Sequence, residues 1–271
     1  MLSEDQSLIR DTARAFARDR LAPHAAARDK AGTIEPEVLR EMGELGFLGM
    51  TVSPDHDGAG ADYVSYALAL MEVAAGDGAI STVMSVHNAP FNAILERFGT
   101  PEQKAEVLAP AARGEFIGAF ALTEAEAGSD ASAIRTQARK VQGGYVIDGA
   151  KAFITSGRIA RQTIVFARLE GSSGKAGITA FLVPTQTPGY AVARVEDGAV
   201  CIRHLRAAIR RDGSAELCPH RGRGQKDTGL RWPASRPGAS ASPRSRWEWR
   251  KRHWTWRWPM PRSDAVSGQP I

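Results

Sequence analysis

Only two of the 271 residues are cysteine, Cys201 and Cys218, and both lie in the last third of the chain. They form neither a metal-ligand spacing nor a disulfide framework, so a cystine-stapled scaffold is excluded and a reducing, cytoplasmic setting is expected. No apolar run approaches the roughly 18 residues of a membrane-spanning helix. The acidic start, Met1-Leu2-Ser3-Glu4-Asp5, lacks the charged-then-apolar pattern of an export signal. Tryptophan is missing from the first 231 residues; all six copies, Trp232, Trp247, Trp249, Trp254, Trp256 and Trp258, follow. What is present is a 43% hydrophobic composition, enough for one large core or two modest ones.

The net charge of +5 conceals two unlike parts. Residues 198–271 hold 16 Lys/Arg against five Asp/Glu, a balance of +11, whereas residues 1–197 hold 19 against 25, a balance of −6. A composition break this sharp marks a boundary at Asp197.

Before that boundary the hydrophobic period changes once. Ser3 with Gln6 forms a capping box ahead of a stripe through Leu8, Ile9, Phe16 and Leu21, ending near Pro23. Helices are predicted from Pro36 to Gly46, with Val38, Leu39, Met42 and Leu45 inward, from Tyr63 to Ala75, and from Ile80 to Phe98. Thr100-Pro101-Glu102-Gln103 caps a fifth. After Gly114, short β-branched or aromatic runs take over: Phe116–Leu122, Thr136–Val141, Tyr145–Ile147, Ala152–Thr155, Thr163–Ala167 and Ile178–Val183. Gln142-Gly143-Gly144 reads as a hairpin turn. The expected fold is α+β: a helical domain over 1–113, an antiparallel, barrel-like β domain over 114–197, and an aberrant, poorly ordered tail over 198–271.

The segment that bears on chemistry is Thr123-Glu124-Ala125-Glu126-Ala127-Gly128-Ser129-Asp130, where a strand ends in a hydroxyl and runs into small residues. Such a loop lets backbone N–H groups approach an anion or a flat ring, although a plain strand and tight turn would read the same way. His87 sits among Met84, Val86 and Ala89, where a hydrogen-bonded core histidine is a fuller explanation than catalysis. Asp55-His56-Asp57 is turn chemistry rather than a metal site, because three adjacent turn residues rarely converge on one ion.

Thr-Glu-x-x-Ala-Gly-Ser-Asp, followed after 22 residues by Phe153-Ile154-Thr155-Ser156-Gly157, resembles the paired signature of FAD-dependent acyl-CoA dehydrogenases. Leu45-Gly46-Phe47-Leu48-Gly49, Gly58-Ala59-Gly60, Gly76-Asp77-Gly78, Met84-Ser85-Val86-His87-Asn88, Phe98-Gly99-Thr100-Pro101-Glu102-Gln103-Lys104 and Val183-Pro184-Thr185 fall in the family's order, and the likeness covers about 190 of 271 residues. The resemblance implies a helical domain, a β domain and a C-terminal four-helix bundle, with FAD between the last two. It implies that Phe120, Leu122 and Thr123 meet the flavin ring and that Gly128 and Ser129 lie over the pyrophosphate. Ser129 would also border the acyl-CoA entrance, Phe153 would pack on the ring, and Thr155 would approach its N5 edge. Glu124 and Glu126 would stand beside this loop, outside the proton-abstraction role. Ala125 departs from the family's usual proline, which loosens the loop without removing a contacting group. The implied reaction is α,β-dehydrogenation of a short or medium acyl-CoA, the electrons passing to an electron-transfer flavoprotein, in a homo-oligomer. A flavin-dependent monooxygenase on the same scaffold is the alternative.

The segment Arg246-Trp247-Glu248-Trp249-Arg250-Lys251-Arg252-His253-Trp254-Thr255-Trp256-Arg257-Trp258 interleaves cations with aromatics and could serve a non-enzymatic module that binds nucleic acid or an anionic membrane. A frameshift explains it better. Tryptophan has the single codon TGG, so a one-base shift turns each into Leu, Met or Val followed by Ala, Gly, Asp or Glu. Read so, with permitted codons, Lys226 to Arg244 and Arg246 to Pro261 resemble the family's first C-terminal helix, and Gly268-Gln269-Pro270-Ile271 rejoins the original frame. On this expectation the chain is a truncated, inactive fragment that stops before the bundle carrying the family's glutamate base. No catalytic residue is nominated.

Overall fold

Two capping boxes and a proline set where the helices begin. In a computed structural model describing residues 1–174, 177–196, 199–202 and 207–210, Ser3 Oγ accepts from Gln6 N and Gln6 Oε1 from Ser3 N, opening α1, Glu4–Phe16. α2 follows at Ala25–Ala31, α3 at Pro36–Glu44, α4 at Tyr63–Gly76 and α5 at Gly78–Val86. α6 spans Ala93–Phe98, and the reciprocal Thr100/Gln103 box starts α7, Pro101–Gln103, before α8, Ala109–Ala112. Replacing Thr100 with Ala should cost about 1 kcal/mol in urea unfolding, since Gln103 N loses its acceptor at a part-buried end.

Three predicted features differ. Leu8 and Leu45 were expected inward but are exposed, while Ile9 packs on the helical core and Phe16 is buried in it. Leu8 lies eight residues before Phe16, about 80° off its stripe, and Leu45 caps α3 where the chain swings into Gly46 at φ 76°. The expected helix from Ile80 to Phe98 is interrupted by a π-helical turn, His87–Asn92, in which Ala89 leaves helical geometry ahead of Pro90. Proline has no N–H to give the preceding turn and crowds its neighbour.

Five strands continue the chain: β1 Ile117–Ala121, β2 Gln137–Val141, β3 Gly144–Asp148, β4 Ala160–Leu169 and β5 Ile178–Pro184. β2 and β3 form the predicted hairpin, with Val141 opposite Gly144. The sheet is mixed rather than wholly antiparallel: β4 pairs with β1 and β2 in parallel and with β5 antiparallel. Among the described residues it is an open six-stranded sheet, not a closed barrel. The expected strand at Ala152–Thr155 is a turn, because Phe153 and Ser156 adopt left-handed backbone angles (φ 57° and 63°) that no strand tolerates.

Alternation along the strands serves two cores. Ala119, Ala121, Val165, Ala167, Phe181 and Val183 pack with Ile147 and Ile154, while Ile164, Ala180 and Leu182 pack against Phe91, Leu95 and Leu108 of the helical region. The helices therefore cover one face of the sheet. Across Asp197, β6, Val192–Glu196, pairs with β7, Ala199–Ile202, and β8, Ala207–Arg210, pairs with β3. Residues 198, 203–206 and 211–271, on which the frameshift reading and the Trp/Arg tail fall, lie outside the described residues. Among the described residues no helix is long and apolar enough to cross a membrane.

Candidate functional site

The two signature segments are held together by three hydrogen bonds. Ala152 N donates to Thr123 O at 2.9 Å, and Lys151 Nζ donates to Leu122 O at 3.0 Å and to Glu124 Oε1 at 2.7 Å. Phe120 lies on the helix-facing side of β1, half-buried, its ring edge-on to Phe166 at 5.2 Å. Leu122 and Thr123 are half-buried just past the strand. A reciprocal pair of backbone bonds between Glu124 and Ala127 then closes a tight turn, leaving Gly128 and Ser129 exposed. Space is open beside Gly128, and Asp130 ends the loop by accepting from Ser132 N at 3.0 Å.

On the facing segment Phe153 is 65% exposed despite its left-handed backbone. An aromatic kept in that conformation costs on the order of 1–3 kcal/mol, so its surroundings over-determine it; buried Ile154 anchors the turn directly behind. Thr155 is half-buried, and Ser156 Oγ is buried without a hydrogen-bond partner. Thus all seven residues singled out in the sequence, Phe120, Leu122, Thr123, Gly128, Ser129, Phe153 and Thr155, lie on one strand end and two stitched turns.

Two residues that sequence reasoning passed over organise this region. Lys151 is 2% exposed and Thr136 1% exposed. Glu124 Oε1 accepts from Thr136 N at 3.0 Å and Thr136 Oγ1 at 2.6 Å in addition to Lys151, and its Oε2 accepts from Arg135 N at 2.6 Å. Burial raises the Glu124 pKa, but these donors outweigh it and hold the carboxyl below its usual value. Burial pulls the Lys151 ammonium down, with Glu124 opposing. The available signal was a lone lysine two residues before Phe153. Glu126 pairs instead with exposed Arg135. With both oxygens so committed, Glu124 does not stand as a general base.

His87 is fully buried and not catalytic. Its Nε2 lies 3.0 Å from Ala111 O, its Nδ1 accepts from Gly118 N at 3.0 Å, and its ring stacks on Phe91. Neighbouring Asn88 and Asn92, also fully buried, bond Met50 N, Phe47 O and Leu48 O, pinning the turn after α3. Asp57 of the Asp55-His56-Asp57 turn pairs with Arg113, and among the described residues no group of three or more His, Cys, Asp or Glu could hold a metal.

Comparison with known proteins places both segments. Residues 3–115 match the N-terminal domain of acyl-CoA dehydrogenase and residues 119–207 its middle domain. The chain is 40% identical over 196 residues to the mitochondrial short-chain specific acyl-CoA dehydrogenase of Rattus norvegicus, covering 72% of this chain and 48% of that relative. Butyryl-CoA dehydrogenase from Megasphaera elsdenii superposes with a TM-score of 0.75 at 32% identity over 80% of this chain and 59% of that one. Glutaryl-CoA dehydrogenase from Mycobacterium smegmatis, solved with FADH2, gives 0.72 at 34% identity over 80% and 56%. The chain spans about half the length of the curated relatives it matches. Carrying both of these domains, the chain belongs to the acyl-CoA dehydrogenase family.

Proposed function

We propose that residues 1–197 form the helical and β portions of an FAD site for α,β-dehydrogenation of an acyl-CoA thioester. The observation that carries this is the joining of Thr123 to Ala152, which sets the exposed, left-handed Phe153 beside a half-buried strand end. The donor set fits a flat ring with a diphosphate tail. Phe153 offers an aromatic face, Ser156 Oγ is a buried hydroxyl still free to bond, and the Gly128-Ser129 turn exposes backbone with room for close approach.

When bound, FAD supplies the two-electron acceptor for the substrate's β-hydrogen. The chain's own residues would hold it: Phe153 would pack on the ring, Thr123 and Thr155 would orient its edge, Gly128 and Ser129 would face the diphosphate, and Ser129 would border the acyl-CoA path. Removal of the α-proton requires a carboxylate other than Glu124, which is already engaged, and the family resemblance places Glu126 outside that role. Onward transfer to an electron-transfer flavoprotein and homo-oligomerisation belong to the same reading.

Titrating the purified chain with FAD should quench flavin fluorescence, and Phe153→Ala should weaken binding about tenfold through lost ring contact. Thermal stability should hold, since a largely exposed, conformationally costly side chain is removed. Absence of FAD binding by the unaltered chain would overturn the proposal. Bleaching of the bound flavin by short acyl-CoA without oxygen favours dehydrogenation; oxygen consumption and substrate oxygenation only after the flavin is reduced by a separate electron donor favour the monooxygenase alternative. The basic segment after Gly198 is read as a frameshift product, to be checked by resequencing its coding DNA. A confirmed frame across that stretch would remove this reading and restore the nucleic-acid-binding alternative.

A further inference from the structure

We infer that the buried Glu124–Lys151 pair is a positioning clasp that sets the separation of the two walls of the site, an inference that rests on the flavin-site reading above. Four donors converge on the Glu124 carboxylate from two places in the chain, Lys151 and the adjacent pair Arg135–Thr136. Lys151 comes from the turn bearing Phe153, Thr136 contributes both its N–H and its hydroxyl, and Arg135 adds a second N–H just before β2. Lys151 reaches past Glu124 to Leu122 O, so the same ammonium grips the strand end. Gly149 presses on the assembly from the other side: a Cβ there would lie 2.4 Å from Thr136 Oγ1 and 2.7 Å from its Cα. Thr136 is thus wedged between Gly149 and Glu124.

Apolar side chains of similar volume would fill this space with less desolvation, so the pair is a poor choice for stability alone. Its geometry is directional instead. The Lys151 bonds fix where Leu122–Thr123 sits relative to Ala152–Phe153, those from Arg135 and Thr136 hold Glu124 in place beside β2, and side chains so locked keep a binding site in shape before any ligand arrives. The Glu124–Ala127 turn closes on itself, and Ala125 lacks a proline's stiffness, so the clasp ties that turn to the facing wall alongside the Ala152 N to Thr123 O bond.

The test compares the full chain with Lys151→Met and with Glu124→Gln/Lys151→Met, reading melting temperature, FAD affinity and limited proteolysis within 124–130 and 151–159. Lys151→Met leaves a carboxylate buried without its cation and should lower the melting temperature and the FAD affinity and speed cleavage in the two turns. The double variant carries no buried charge and should regain most of the melting temperature. Its FAD affinity should stay about tenfold weaker and its cleavage in those turns about tenfold faster, because the directional bonds remain missing. Recovery of affinity and protection together with melting temperature would show the pair to be merely structural and overturn the inference. Should the unaltered chain bind no FAD, the flavin reading falls, and protection of the two turns in the double variant alone decides the clasp.

Discussion

Asp77→Ala should destabilise the helical region by about 3–5 kcal/mol in urea unfolding, the cost of stripping one partner from a buried ion pair. Arg28 is 5% exposed and its guanidinium joins three elements. It donates to Asp77 Oδ2 at 3.1 Å between α4 and α5, to Glu35 Oε2 at 2.6 Å at the start of α3, and to the carbonyls of Leu21 and Arg20 beyond α1. Asp77 also caps α5 through Oδ1, accepting from Ala79 N at 2.9 Å and Ile80 N at 3.2 Å. Alanine removes both functions and leaves the buried guanidinium with the more exposed Glu35 carboxylate and two backbone carbonyls as its partners. Asp77→Asn keeps an oxygen for the cap and should therefore lose about 1 kcal/mol less than Ala. Equal losses for the two variants would show that the cap contributes nothing.

A fall in stability of about 3 kcal/mol between neutral pH and pH 4 is expected from His87 alone. Burial pushes its pKa down to about 4 from an ordinary 6.5, the bond to the Ala111 carbonyl opposing. With Nδ1 accepting from Gly118 N, the ring must be the neutral tautomer that donates from Nε2. Because the folded value lies below the unfolded one, the unfolded chain takes up a proton first as pH drops. Stability is complete above 6.5 and declines toward 4 at up to about 1.4 kcal/mol per pH unit. The lowered carboxylates, Glu35, Glu124 and Asp62 among them, titrate below their ordinary values of 4.5, 4.5 and 3.8, so the window from 6.5 to 5 isolates the histidine. Urea midpoints at pH 7, 6 and 5 measure it, and a flat profile would discard this account. Since His87 joins α8 to Gly118, the second residue of β1, its protonation takes away the acceptor of Gly118 N in the strand that ends at the candidate site.

Much of the helical region was legible because its signals are local. The Ser3/Gln6 and Thr100/Gln103 boxes and the Gln142-Gly143 hairpin each satisfy backbone groups within three residues, so short-range pattern suffices. The Ile80–Phe98 helix was misjudged because apolar periodicity survives the π-helical turn at Pro90. The mixed pairing of the sheet was hidden because parallel partners such as Ile117 and Ala160 are more than forty residues apart, and strand composition does not encode direction.

The sequence by itself determined the family, through motifs in order, and with it the residues nominated at the site. It also determined the charge break near Asp197 and the buried, non-catalytic part of His87. Only the tertiary structure decided that Ala152–Thr155 turns rather than extends, that Phe153 is displayed at positive φ, and that Glu124, Thr136 and Lys151 share one buried knot. The reason is physical. Caps, turns and amphipathic stripes minimise free energy over a few residues, whereas a buried charge is tolerable only when its partners arrive from distant chain segments, and that meeting exists only in the folded protein.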